Sequence, residues 1–221
     1  MLAGLGLTRR CTARPGLARL GVARFFLKGN QMLQKMTVRL DGVAPMLMHN
    51  GQTANPTNVY SKRMKEITGK RKKTDEDYVE LAGIEWEAGL YVNAQGRLIV
   101  TADMLDTCII EGAKKSKLGK QFKSAVFVED DCELIIGTNY KSALDLKSNE
   151  NHRDIRSVKV GMNRVMRCRP IFRTWSTMVQ IMFDDEQVNA TDVQRALSDA
   201  GQQVGLGDYR PRYGRFSVSI A

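Results

Sequence analysis

Near the end of the chain, Gly205-Leu206-Gly207-Asp208-Tyr209-Arg210-Pro211-Arg212-Tyr213-Gly214-Arg215-Phe216 gathers side chains suited to holding a polyanion. Gly205, Gly207 and Gly214 permit backbone angles and close approaches that a side chain forbids. Arg210, Arg212 and Arg215 supply cations two and three residues apart, Tyr209 and Tyr213 supply flat faces, and Pro211 stiffens the middle. A loop that is glycine-rich, cationic and aromatic together suits a phosphate backbone carrying unstacked bases. The plain alternative is a helix-to-strand connection with solvated arginines.

Two other regions carry cations without interleaved acids. Lys114, Lys115, Lys117, Lys120 and Lys123 follow a helical stretch, and Arg164, Arg167, Arg169 and Arg173 are expected on the central strands. If the fold brings all three regions to one side of a sheet, they form a groove that tracks phosphates, with Tyr209 and Tyr213 as stacking surfaces. Phosphate contacts position a strand without reading it, so low sequence specificity is expected. The formal charge of +10 points the same way, towards nucleic acid or an anionic membrane surface.

Catalytic chemistry finds less support. His49 sits in a polar loop after an apolar strand, and His152 in a long irregular stretch; neither has an evident general acid–base partner. Asp75, Glu76, Asp77, Glu80, Glu85 and Glu87 share one helix and read as a solvated face rather than a metal site. P-loop, GxSxG and HxxxH patterns are absent. Cys11, Cys108, Cys132 and Cys168 are scattered and form no CxxC pair, so buried reduced thiols are expected. No catalytic residue, metal or cofactor is assigned.

The elements that must position these residues follow from periodicity. Met36–Val43 alternates as a first strand, with Val38 and Leu40 on one face, and Ala44–Met48 continues as an apolar edge. Residues 61–68 are expected to be helical, ahead of a basic run at 70–73. Thr74 caps a helix to about Ala88 that buries Val79, Leu81, Ala82 and Trp86. Asn93–Gly96 reads as a hairpin turn, and Thr101 starts a helix over 102–114. Ser124–Val128 and Cys132–Ile136 read as strands, 138–156 as a long surface loop, and Phe172–Phe183 as one strand with Trp175 inward. A third helix, Asn189–Gln203, leads through the glycine loop to a last strand, in which Phe216, Val218 and Ile220 alternate with serines. The order is βαββαβ, which predicts an α+β, ferredoxin-like or RRM-like antiparallel sheet with helices on one face and inserted loops.

Residues 1–31 differ from the rest, with six Arg/Lys and no acidic residue. Their composition resembles an organellar transit peptide; the duller reading is that translation begins at Met32 or Met36. They are expected to be unstructured and to lie outside a single domain spanning 32–221, with insertions at about 50–100 and 138–156. No apolar run reaches the roughly 18 residues needed to cross a bilayer, and a cytoplasmic location is expected.

A helix followed by G-x-G-x-x-x-x-x-x-G-x-F and a final strand resembles the RAMP superfamily of CRISPR-associated proteins. The residues are Gly205, Gly207, Arg210, Gly214, Arg215 and Phe216. Val38-Arg39-Leu40 through Pro45-Met46-Leu47-Met48-His49 is similar to the start of that superfamily's backbone subunits. The similarity covers the two ends of the domain. It implies an RRM-like RNA-binding protein, of a kind borne by phages or mobile elements, whose glycine loop contacts RNA. The expected function is therefore non-catalytic binding of single-stranded RNA or DNA, with a homo-oligomer or filament along the strand. An endoribonuclease using His49 and a structural assembly protein are the alternatives.

Overall fold

The computed structural model describes residues 22–26 and 32–220. In chain order the elements are β1 (Val22–Phe26), β2 (Met32–Gly42), β3 (Met46–Leu47), α1 (Val59–Thr68), α2 (Asp75–Ala88), β4 (Ile99–Val100), α3 (Ala102–Lys115), α4 (Gly119–Ala125), β5 (Val126–Val128), β6 (Cys132–Ile136), β7 (Arg153–Val160), β8 (Asn163–Phe172), β9 (Trp175–Asp184), α5 (Ala190–Asp199) and β10 (Phe216–Ile220). A π-helical turn over Ala200–Val204 extends α5. The fold is α+β and its strand pairs are antiparallel.

Alternation fixes the main sheet. Met36, Val38 and Leu40 of β2 are buried, and the register sets Met36 opposite Ile181 and Val38 opposite Val179 of β9. Both strands thus turn one apolar face to the core, while Arg39 and Met178 face the other way, as a period of two requires. β10 pairs with β2 on the side away from β9, while β5 and β6 pair with β9 and β4 pairs with β6. The strand expected first, now β2, and the last strand, β10, are thus neighbours in one sheet, as the βαββαβ order implies. β1, inside the basic leader, also pairs with β2. Part of the leader is therefore hydrogen-bonded into the sheet, while residues 1–21 and 27–31 lie outside the described residues.

α3 and α5 pack on the apolar face and on each other. Leu105, Cys108, Ile109 and Ala113 of α3 are buried, as are Val193, Ala196 and Leu197 of α5. Gly112 permits the contact: a Cβ there would lie 2.3 Å from the Ala196 carbonyl oxygen. Trp175 is only 2% exposed, stacks edge-on with Phe216, and donates its indole N–H to the Ala44 carbonyl at 2.9 Å.

Five expectations need correction. Phe172–Phe183 is not one strand: β8 ends at Phe172, the chain turns at Arg173-Thr174, and β9 begins at Trp175. Arg164, Arg167, Arg169 and Arg173 therefore lie on or beside β8 of a second sheet, ordered β3-β8-β7, not on the central strands. The stretch 138–156 is not a featureless loop; it holds short 3-10 turns that bury Ala143, Leu146 and His152, and then starts β7. Ser124 and Ala125 end α4 rather than opening a strand. In α2, capped by Thr74 with Asp77 completing a capping box, the inward residues are Ile84, Trp86 and Ala88, and Val79 is 68% exposed. Trp86 is fixed by its N–H bond to the His152 carbonyl at 2.7 Å.

Candidate nucleic-acid interface

The glycine loop is clamped onto the chain that follows β2. Asp208 N–H donates to the Leu47 carbonyl, Gly214 N–H to Pro45, and Leu206 N–H to Gly214, each at 2.8 Å. Gly205 and Gly207 have φ of 79° and Gly214 of 73°, in the left-handed region. A Cβ on Gly207 would sit 2.2 Å from the Leu47 oxygen, and one on Gly214 1.7 Å from the Leu206 oxygen. Gly207 is thus needed for the loop to meet the backbone of β3, and Gly214 for it to meet its own. Tyr209 also has positive φ, at 56°.

The β7–β8 hairpin reaches this loop through two arginines. Arg156 sits with its guanidinium carbon 5.1 Å from the Tyr209 ring centre and 4.9 Å from that of Tyr213, and it donates to the Tyr213 hydroxyl at 2.8 Å. Asp154 pairs with Arg156, and that carboxylate, together with the Tyr213 bond, holds the guanidinium's pKa above its usual value. Arg169, its side chain 13% exposed, lies 4.9 Å from the Tyr209 ring centre and 3.1 Å from the Asp208 carboxylate. The tyrosine faces expected to stack on bases are therefore engaged by guanidinium groups, and Tyr209 keeps 39% of its surface exposed.

Three depressions adjoin along the loop. One of about 820 Å³ lies between α2 and the hairpin and is lined by His49, Lys159, Arg167, Arg169, Asp208 and Tyr209. A second, of about 430 Å³, shares His49 and Asp208 and adds Arg210. A third, of about 560 Å³, shares Asp208, Tyr209 and Arg210 and ends at Lys115. Their shared lining residues set the three side by side as one grooved surface around the loop.

The expected residues divide on this geometry. Lys115, Arg167, Arg169, Gly207, Tyr209 and Arg210 line the groove. Arg167 is neutralised by Glu85, which also accepts from the Cys168 N–H at 2.9 Å, and Arg169 by Asp208. Lys159, Arg210 and Lys115 remain as groove cations with no carboxylate partner among the described residues, and Arg212 is exposed beside them. Lys114 pairs with Glu111, Lys117, Lys120 and Lys123 are exposed on and before α4, and Arg164 is exposed near the hairpin tip. Arg173 is at the opposite end of β8, and Arg215 lines a separate depression against α5. Sequence reasoning did not single out Arg156 or Lys159 as site residues: Arg156 fell at the end of the stretch read as loop, and Lys159 in an alternating stretch, Val158–Asn163, to which no role was given.

His49 is exposed where the first two depressions meet, and its carbonyl accepts from the Tyr91 hydroxyl at 3.3 Å. No described group hydrogen-bonds its imidazole. Among the described residues there is no group of three or more His, Cys, Asp or Glu able to hold a metal ion, and no helix long and apolar enough to cross a membrane. The sequence matches no protein-family model and no curated protein.

Proposed function

We propose that this chain binds single-stranded nucleic acid, without catalysis and with little sequence preference, along the groove between the β7–β8 hairpin and the C-terminal end of α3. The carrying observation is adjacency: Lys159, Arg210 and Lys115 line three depressions that share walls, and none has a carboxylate partner among the described residues. Cations spaced along a groove meet successive phosphates and release counterions. Val158, Val160 and Met64 give the largest depression apolar walls, which suit the faces of unstacked bases and offer nothing to a duplex exterior.

The same reading takes β2, α3, β6, β9, α5 and β10 as a ferredoxin-like core. The β10-β2-β9-β6 neighbour order and the helices that connect β2 to β6 and β9 to β10 support it. The α1–α2 pair and the β7–β8 hairpin are then insertions that build the groove walls. A relationship to the RAMP superfamily belongs to this proposal and rests on the glycine loop and the β2–His49 segment. Cleavage by His49 has only that residue's position in its favour.

The test is binding of labelled single-stranded RNA, single-stranded DNA and duplex, with product length monitored. Tighter binding of a single strand than of duplex, with the strand intact, supports the proposal. Equal or tighter duplex binding, or no binding, contradicts it. Cleavage abolished by His49→Ala replaces it with the nuclease reading.

A further inference from the structure

The depression of about 430 Å³ differs in chemistry from its two neighbours. Asp103, Met104 and Thr107 of α3 line it, together with His49, Tyr91 and Arg210. Asp103 and Thr107 are exposed and four residues apart, so they are neighbours on one face of the helix, with about 5–6 Å between their Cβ atoms. Neither side chain has a hydrogen-bond or ion-pair partner among the described residues. The Asp103 carboxylate is not spent on the helix start, because Thr101 caps α3 by accepting from the Met104 N–H at 3.3 Å. The other carboxylate in the lining, Asp208, is already held by Arg169 and by the Tyr209 N–H. Tyr91 and Met104 are half-buried, and the His49 carbonyl holds the Tyr91 hydroxyl. Aromatic and thioether side chains make walls that suit the face of a base.

A free carboxylate repels phosphate, so the part of a bound strand beside Asp103 must carry hydrogen-bond donors. An ionised carboxylate only accepts, and it can accept two bonds side by side. Among the bases, guanine alone sets two donors next to each other, N1–H and the 2-amino group, with no acceptor between them. Adenine and cytosine place a ring acceptor beside their amino group, and uracil flanks its single N–H with carbonyls. The remaining atom on guanine's pairing edge, O6, is an acceptor, and the Thr107 hydroxyl, one turn along α3, can donate to it. We infer that this depression holds a guanine base of the bound strand. Asp103 accepts from N1–H and the 2-amino group, Thr107 donates to O6, and Arg210 meets the adjoining phosphate. The guanine site rests on the proposed groove, and adds one base-reading position to a surface whose other contacts are to phosphate. His49 then belongs to a binding wall and transfers no proton.

The test is fluorescence anisotropy with short labelled single strands: all adenine, the same strand with one central guanine, and the same strand with one central inosine, which lacks the 2-amino group. One guanine should tighten binding about tenfold over the adenine strand, and inosine should lose most of that gain. Asp103→Asn keeps the side chain's shape and removes one of its two acceptors. It should bring the guanine and adenine strands to within about twofold of each other, and bind the adenine strand at least as well as the wild type does, because a negative charge has left the groove. Thr107→Val should weaken the guanine preference and leave the adenine strand unchanged. Both residues are exposed, and circular dichroism checks that each variant is folded. The preference should be equal in ribose and deoxyribose strands, which share the base edge. A preference for ribose strands that Asp103→Asn abolishes would assign the carboxylate to a 2′-hydroxyl and overturn the guanine site. Equal wild-type affinity for the guanine and adenine strands, or a preference that survives Asp103→Asn, would overturn it and leave the proposed function standing. No binding to any single strand would overturn both.

Discussion

The Arg156 guanidinium reaches the Tyr213 hydroxyl across 2.8 Å, and this bond ties the β7–β8 hairpin to the glycine loop. The Tyr209 and Tyr213 rings beside it add cation–π contact. Replacing Arg156 with Ala removes both and leaves Asp154 without its cation. A charge-assisted bond and a partly shielded cation–π contact together are worth about 2 kcal/mol. Arg156→Ala should lower stability by roughly that amount and speed amide exchange across 153–169 more than in β2 or β9. Unchanged exchange in the hairpin would show that the latch carries no energy.

Gly207→Ala and Gly214→Ala should each cost about 2–4 kcal/mol, because positive φ and a backbone collision act at one position. Gly51→Ala meets nothing within 4 Å and serves as the control. The readout is the midpoint of denaturant unfolding. A loop glycine that tolerates Ala as Gly51 does would remove the argument for a clamped loop.

Trp175→Ala should cost about 3–5 kcal/mol, as for other large-to-small changes at buried positions. The ring fills the space over Gly42, where a Cβ would meet the indole nitrogen at 2.3 Å. Gly42→Ala should therefore also destabilise, and native tryptophan fluorescence of that variant, with Trp175→Ala giving the Trp86 background, reports whether the ring is displaced.

Burial pushes the Cys108 thiol up to about 12 and those of Cys132 and Cys168 to about 11. At pH 8 these thiols should resist alkylation in the folded chain and react quickly in denaturant. The linkage has a definite sign. Between the unfolded value near 8.5 and these raised values the folded state binds more protons, so stability is full below pH 8.5 and falls as pH rises. Each thiol contributes about 1.4 kcal/mol per pH unit to that fall. Rapid native labelling of Cys108, which donates to the Gly205 carbonyl beneath the loop, would mean that the loop opens.

The sheet was legible because its strands alternate strictly. Val38 and Leu40, Val179 and Ile181, and Phe216 each announce the buried face, and antiparallel pairing of the terminal strands follows. The hairpin was legible only in part: Val158, Val160 and Met162 alternate, but its start at Arg153 and its place in a second sheet were not, because Ile155, Val160, Met162 and Met166 are apolar yet exposed and mark no buried face. α2 misled for a related reason. Val79 and Tyr78 look like core residues, but α1 and the 143–152 turns pack against other sides of the helix. At the groove, the loop's glycines and cations were readable as types. Which cations stay free was not, because Glu85 and Asp208 neutralise Arg167 and Arg169 across gaps of tens of residues.

Lys115 and Arg210 line one depression, and under the proposed function both meet phosphates there. The direct test is the dependence of single-strand affinity on salt, measured by fluorescence anisotropy for the wild-type chain and for Lys115→Ala with Arg210→Ala. Each phosphate contact contributes about 0.7 to the log–log slope on single strands. The double variant, shown to be folded, should lose about 1.4 from that slope and bind all sequences more weakly in equal measure. Lys117→Ala with Lys123→Ala, outside the groove, should change it far less. A double variant that keeps the full slope and affinity would contradict the assignment of the groove.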